Sequence, residues 1–122
     1  MTNYFQLIRE WAEDRNLIKG STQAAQAEKF LEECGELVRA MIEDDDAKFQ
    51  DAVGDCIVVL TNLAHQRGML VEDCISSAYN EIKDRKGRMI DGIFIKEEDL
   101  PKEPAPAASG SHRNKRAVGS RK

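Results

Sequence analysis

The segment Thr22–Glu43, TQAAQAEKFLEECGELVRAMIE, carries the pattern that decides the fold. Its apolar positions recur every three or four residues, at Ala27, Leu31, Cys34, Val38 and Met41, with Phe30 and Leu37 widening the stripe. This period predicts an amphipathic helix. Ser21 or Thr22 is a suitable N-cap, so the helix is expected to begin there and to run to about Glu43.

Further helices are expected on both sides of this segment. On the N-terminal side, residues 2–16 have apolar side chains at helical spacing, and Asn16–Gly20 is typical of a turn. On the C-terminal side, the acidic run Glu43–Asp46 suits a break, because aspartate caps helix starts. A third helix is then predicted for residues 47–67, and Gly68 marks its end.

A fourth helix is predicted for residues 71–85. Its buried face is expected to consist of Val71, Cys74, Ile75, Ala78 and Ile82. Asp91 and Gly92 then form a turn signal inside a short extended arm or hairpin. Four helices joined by short turns predict an all-α fold, an antiparallel four-helix bundle over residues 1–100. Residues 101–122 are rich in Pro, Ala, Ser and Gly without apolar periodicity, which predicts a disordered basic tail.

The composition is that of one soluble cytoplasmic domain. The chain has 122 residues, of which 41% are apolar and 33% charged. No apolar run approaches the roughly 20 residues that span a bilayer, so no membrane partner is expected. The cysteines Cys34, Cys56 and Cys74 form no CxxC pair and are expected to be reduced thiols that face the core.

Charge is divided unevenly along the chain. Six basic residues against one acidic residue give residues 101–122 a charge of +5, and the overall charge of −4 leaves −9 for residues 1–100. An acidic body argues against nucleic acid as a specific partner, because binding to a duplex depends on basic side chains. A site in which several carboxylates hold a cation would produce this imbalance.

The acids cluster on two consecutive helices. Glu32, Glu33 and Glu36 follow one flank of the second helix, beside the apolar stripe. Like charges at this spacing repel by a few tenths of a kcal/mol per pair, which a hard cation such as Mg²⁺ would reverse. Asp51 and Asp55, four residues apart, lie on one face of the third helix. A shared magnesium site is therefore predicted, although charged helix faces are usually solvated.

Other positions extend this hypothesis. Asn62 lies on the same polar stripe and is a candidate for sugar or base contact. The solvated-face interpretation is kept for the run Glu43–Asp46. The apolar run Cys56–Leu60 leaves no solvent-facing side at its level, so a partner subunit is expected to cover it. A homo-oligomer is predicted, either a dimer or a dimer of dimers.

These acids resemble the motifs of the MazG-like all-α nucleoside triphosphate pyrophosphohydrolases. The matching residues are Glu32, Glu33 and Glu36, then Asp51, Gly54 and Asp55. The stretch Ala78–Gly87 looks like the fourth-helix segment of short phage-type members. The resemblance implies hydrolysis of a (d)NTP to a (d)NMP and pyrophosphate with Mg²⁺, for which Mn²⁺ would substitute.

The resemblance also implies roles for these acids. Glu33, Glu36 and Asp55 would bind Mg²⁺, and Glu32 would orient or deprotonate the attacking water. The family usually has Glu where this chain has Ala52, and Asp51 is the nearest substitute. That departure leaves open a non-catalytic helical protein that senses nucleotides or serves as an interaction partner.

Substrate contacts are expected outside the acidic motifs. Asn80, Lys83 and Arg85 supply donors for phosphate oxygens, or else form a solvated basic face. Lys29 contacts the substrate or simply pairs with the neighbouring glutamates. Trp11 offers a ring for base stacking, although such residues more often belong to a core. Phage relatives of this type, such as the MazZ-like group, include enzymes that act on guanine deoxynucleotides, so the resemblance implies dGTP or GTP as the substrate.

Overall fold

A computed structural model describes residues 1–101, and the predicted tail beyond Pro101 lies outside the described residues. The elements are α1 (Tyr4–Asp14), α2 (Gln23–Glu43), α3 (Asp46–Gln66), α4 (Val71–Ile82), β1 (Gly87–Ile90) and β2 (Ile93–Lys96), with a 3₁₀ turn at Glu97–Asp99. The chain divides into two compact units after Ser77. A predominantly helical fold with four helices is confirmed, whereas the bundle arrangement stays a prediction.

Side-chain caps set the boundaries of α2 and α3. The Thr22 hydroxyl accepts a hydrogen bond from the Ala25 amide at 3.0 Å, and Asp45 accepts one from the Lys48 amide at 3.0 Å. Asp44 ends α2 in the left-handed conformation, with φ of 57°. The acidic run therefore does break the chain between two helices, as its composition predicts.

In the first unit, α2 and α3 pack against each other in antiparallel orientation. At the start of α2, Gln23 Nε2 donates to the Leu63 carbonyl at 3.2 Å and to Gln66 Oε1 at 2.6 Å, near the end of α3. α1 also packs on α3, where His65 Nε2 lies 2.7 Å from Glu13 Oε2. Small side chains dominate the buried set in these helices, which comprises Ala12, Ala40, Ala52, Cys56, Val59, Thr61 and the larger polar residues Arg9 and Asn62.

An ion pair between a buried arginine and a partly exposed glutamate joins α1 to the first turn of α4. The guanidinium of Arg9, which is 4% exposed, donates to both carboxylate oxygens of Glu72 at 2.6 and 2.7 Å. The hydrogen bonds from Arg9 lower the pKa of Glu72 from 4.5 to about 2. Two-point binding of this kind fixes orientation as well as distance.

The predicted apolar stripe of α2 is only partly buried in the single chain, where Phe30, Cys34 and Leu37 are half-buried. Leu31, Val38 and Met41 are 69%, 49% and 60% exposed, because α2 turns the side with Leu37 and Ala40 toward α3. On α4 only Val71 of the predicted face is buried, and the exposed members are Cys74, Ile75, Ala78 and Ile82. All three cysteines are free, but Cys74 is exposed and Cys34 is only half-buried, so the core-facing expectation holds fully for Cys56 alone.

The second unit contains the predicted hairpin. β1 and β2 pair antiparallel, with Gly87 opposite Lys96 and Ile90 opposite Ile93. Asp91 and Gly92 both adopt positive φ, 52° and 82°, as the tight two-residue turn requires. Within residues 1–101, no helix is long and apolar enough to cross a membrane.

Candidate active site

α2 and α3 line one polar cavity of about 490 Å³ within the first unit. Its carboxylates are Glu32, Glu33, Glu36 and Glu43 from α2, and Asp51 and Asp55 from α3. Its cations are Lys29, Arg39 and Lys48. The cavity is thus net acidic, and it brings together the two acidic helix faces that the sequence predicts.

The glutamates of α2 differ in their exposure to water. The side chain of Glu33 is only 12% exposed, whereas those of Glu32 and Glu36 are 67% and 62% exposed. Spacing of three and four residues aligns them along one helix face. Glu33 therefore lies deepest of these three, where a missing partner charge is costliest.

Each cation of the cavity pairs with a glutamate of α2. Lys29 Nζ lies 3.1 Å from Glu33 Oε2 and 3.8 Å from Glu32 Oε1. Arg39 lies 3.5 Å from Glu36 Oε1. The third pair is formed by Lys48 and Glu43, at 3.6 Å. Asp51 and Asp55 are absent from the ion pairs of the described residues.

Asp55 is the acid most disturbed by its surroundings. Partial burial raises its pKa first, and the negative charges of Asp51 and Glu33 raise it further, while Lys29 lowers it. The hydrogen bond to Glu33 raises the pKa of Lys29. Acids from both helices therefore influence one another across the cavity, and a further positive charge would stabilise them.

Comparison with known proteins identifies the domain that contains this cavity. Residues 21–89 match the family model described as the MazG nucleotide pyrophosphohydrolase domain. The chain belongs to the MazG family. This confirms the resemblance inferred from the acidic motifs.

One curated relative comes from a phage. It is an uncharacterized 18.2 kDa protein from the rep-hol intergenic region of Haemophilus phage HP1, 44% identical over 59 residues. The alignment covers 48% of this chain and 36% of the relative, so the chain matches about a third of that protein. No solved structure matches the chain significantly.

The donor set of this MazG cavity suits a hard divalent cation in its chemistry. Carboxylate oxygens are the ligands that Mg²⁺ prefers. Within the part of the chain that the structure describes, however, no three acidic, histidine or cysteine side chains converge closely enough to hold an ion. Side-chain rotations would be required to assemble the ligands, and the exposed Glu32, Glu36 and Asp51 have room for them.

The other candidate residues are not among those that line the cavity. Asn80, Lys83 and Arg85 belong to the second unit, and α4 ends at Ile82, so the two basic residues follow the helix rather than lie on it. Trp11 is 45% exposed, with the Arg15 guanidinium 4.6 Å from its ring centre.

Asn62 is 2% exposed, and its Oδ1 has no hydrogen-bond partner among the described residues. Direct contact with a nucleotide would require α3 to open around it. The side chain is therefore poorly placed for the predicted sugar or base contact in this conformation.

Sequence reasoning missed three charged residues of the cavity. Glu43, assigned to a solvated run, lines the cavity together with Arg39 and Lys48. The sequence did contain a signal for the two residues of α2. Arg39 and Glu43 follow Glu36 by three and seven residues, which places them on the same helix face. Lys48 gave no such signal, since its approach depends on the turn at Asp44–Asp45.

Proposed function

We propose that this MazG chain is a nucleoside triphosphate pyrophosphohydrolase that uses Mg²⁺, with Mn²⁺ as a substitute, and releases a monophosphate and pyrophosphate. The observation that carries the proposal is a cavity lined by six carboxylates of two helices. A triphosphate is itself strongly anionic, so such a surface would repel it without bound cations. Divalent cations would supply that positive charge and activate a water for attack.

The acids have separate roles in this proposal. Glu33, Glu36 and Asp55 hold the metal, and Asp51 replaces the acid that is missing at Ala52. Glu32 is the most exposed of the three motif glutamates and lies 3.8 Å from its nearest cation. It is therefore free to orient or deprotonate the attacking water.

Substrate contacts come from outside the cavity. Asn80, Lys83 and Arg85 would donate to phosphate oxygens, although Arg85 must first release Glu81, which lies 4.0 Å away. Trp11 would stack on the base with the ring face that Arg15 does not cover. Guanine nucleotides, dGTP or GTP, are proposed as substrates because of the likeness to phage-type enzymes.

A product assay tests the reaction directly. The full chain is incubated with Mg²⁺ and, separately, with each NTP and dNTP, and the products are separated by ion-exchange chromatography. We expect nucleoside monophosphate and pyrophosphate in equal amounts, with the highest rate for a guanine nucleotide. Release of inorganic phosphate with a nucleoside diphosphate would contradict cleavage between the α and β phosphates.

Glu36→Gln tests the site, with Glu43→Gln as its matched control. Both changes remove one negative charge from the same cavity and the same helix. We expect Glu36→Gln to lower turnover at least about 100-fold, because even outer-sphere partners of a metal cost about 10- to 100-fold. Glu43→Gln should retain most activity. Equal activities in two variants with native circular dichroism would remove the site assignment.

A homo-oligomer is part of the proposal. α3 exposes a continuous apolar stripe of Phe49, Val53, Ile57 and Leu60, each between 37% and 41% exposed. Leu31 and Val38 form a second stripe on α2. A second copy of the chain would bury such surfaces, which rarely stay exposed on monomers.

Ala52 supports a second candidate, a non-catalytic protein that senses nucleotides. Its side chain is 4% exposed against the cavity, at the position where the family usually carries a metal-binding acid. A sensor would bind a nucleotide in calorimetry without producing pyrophosphate over hours. Measurable turnover that disappears in Glu36→Gln would exclude this alternative.

A further inference from the structure

Lys29 occupies a special position among the cations of the cavity. Its ammonium lies 3.1 Å from Glu33 and 3.8 Å from Glu32, both acids of the proposed catalytic centre. The hydrogen bond to Glu33 raises the pKa of Lys29 most, and the negative charge of Asp55 on the facing helix adds a smaller effect. Lys29 is therefore surrounded by acids of both helices that the proposed function assigns to metal and water.

The other two cations have different partners and surroundings. Lys48 pairs with Glu43, whose side chain is 45% exposed and which the proposed function does not use. Arg39 pairs with Glu36, and both side chains are more than half exposed. Only the Lys29 pair, among these three, neutralises a carboxylate as sheltered as Glu33, at 12% exposed. That carboxylate depends on a cation, because a buried charge without a partner is strongly disfavoured.

We propose that Lys29 is an internal counter-ion that competes with divalent cations for Glu33 and Glu32, and so sets how tightly the free protein holds metal. This inference rests on the proposed function. Lysine suits such a role because its compact charge sits on a flexible four-carbon stem that can swing away. While Lys29 is paired, it offsets part of the negative charge of Glu33 and Glu32. When Lys29 leaves, Glu33 presents both oxygens to the cavity.

Metal binding without nucleotide tests this inference. The probe is Mn²⁺, titrated into the full-length chain and followed by electron paramagnetic resonance of the free ion. In Lys29→Met, we expect the dissociation constant to fall about tenfold, because one nearby competing positive charge is removed. Lys29→Arg, which keeps the charge, should stay within about twofold of the wild type. Lys48→Met is the matched control, and screening should hold its change to about twofold.

Thermal unfolding gives a second readout. Without metal, Lys29→Met should melt below the wild type, because Glu33 loses its counter-ion, and added Mn²⁺ should raise its melting temperature by more than it raises that of the wild type. Unchanged, weaker or undetectable Mn²⁺ binding in Lys29→Met would overturn the inference. Equal tightening in Lys48→Met would overturn it too, because the effect would then reflect net charge alone.

The outcome is separable from that of the proposed function. Tightened Mn²⁺ binding in Lys29→Met without pyrophosphate production by the wild type would support the counter-ion and refute the enzyme. Pyrophosphate production by the wild type with unchanged Mn²⁺ binding in Lys29→Met would support the enzyme and refute the counter-ion.

Discussion

At the scale of single residues, the decisive position is the pair Asp51 and Ala52. Ala52 is almost fully buried at the base of the cavity, so its methyl group fills space between α2 and α3. Asp51 is exposed and lines the same cavity. Asp51 has a shorter side chain than the usual glutamate and lies one position earlier along α3. It can act as a metal ligand only if it reaches the metal from there.

Asp51→Asn tests whether Asp51 replaces the metal-binding acid that is missing at Ala52. If Asp51 is a ligand, turnover should fall at least about tenfold and the Mg²⁺ concentration for half-maximal rate should rise, because a ligand charge is lost. Asp46→Asn, in the exposed first turn of the same helix, should behave as the wild type. Indistinguishable Mg²⁺ dependence in the two variants would show that Asp51 is not a ligand.

The sequence located the acids well for a physical reason. Glu32, Glu33 and Glu36 reveal a shared helix face through spacing alone, and Asp51 and Asp55 do the same on the next helix. Spacing does not reveal depth, which depends on how two helices rotate against each other. For that reason the sheltered position of Glu33 could not be predicted.

At the scale of helices, capping explains why most boundaries were predictable. Thr22 and Asp45 bond the free amides of α2 and α3, and these residues can be recognised in the sequence. The end of α4 was predicted at residue 85, three residues later than the observed end at Ile82, because the sequence carries no clear capping residue there. There Lys83 and Arg85 bond back to the Tyr79 and Ile82 carbonyls in a closing turn.

Asp45→Ala tests the contribution of the cap to stability. Loss of the hydrogen bond to the Lys48 amide should lower the free energy of unfolding by about 1 kcal/mol, measured by urea denaturation. Asp45→Asn retains the hydrogen-bond acceptor and should keep most of the free energy of unfolding that Asp45→Ala loses. A similar loss in both variants would mean that charge at the start of α3, rather than the hydrogen bond, is responsible.

The pair Arg9–Glu72 makes the link between α1 and α4 sensitive to acid. Because the pKa of Glu72 is lowered from 4.5 to about 2, its stabilising effect is complete above the ordinary pKa and is lost as the pH falls from 4.5 to 2. Glu72→Gln should therefore be less stable than the wild type at pH 6, and the difference should shrink toward pH 2.

Denaturant titrations at several pH values check this, with the exposed neighbour Asp73→Asn as control. A stability gap between the wild type and Glu72→Gln that stays constant down to pH 2 would contradict the ion pair as its source.

At the scale of the whole molecule, the exposed apolar stripes have the largest consequence. The faces of α2 and α4 were predicted to be buried, yet they are exposed in the single chain. Periodicity identifies an apolar face, but it does not say whether the same chain or another copy covers it. The proposed homo-oligomer would cover apolar faces that the single chain leaves exposed.

Ile57→Glu tests the oligomer. By light scattering after size exclusion, the wild type should have a multiple of the 13.7 kDa chain mass, and Ile57→Glu should shift toward 13.7 kDa, because burying an unpaired carboxylate opposes association. Ala47→Glu adds the same charge at an exposed position about 120° around α3 from the centre of the stripe and should remain assembled. A wild type that is already monomeric would end this part of the proposal.

The placement of Trp11 has a practical outcome. It is the single tryptophan of the chain, it lies on α1, and its half-open ring carries the guanidinium of Arg15. Intrinsic fluorescence excited near the red edge of its absorption therefore follows α1 alone, without any attached dye. Quenching of this fluorescence by a guanine nucleotide would show whether a base stacks on the Trp11 indole. The Arg15→Ala protein, whose indole is uncovered, provides the comparison.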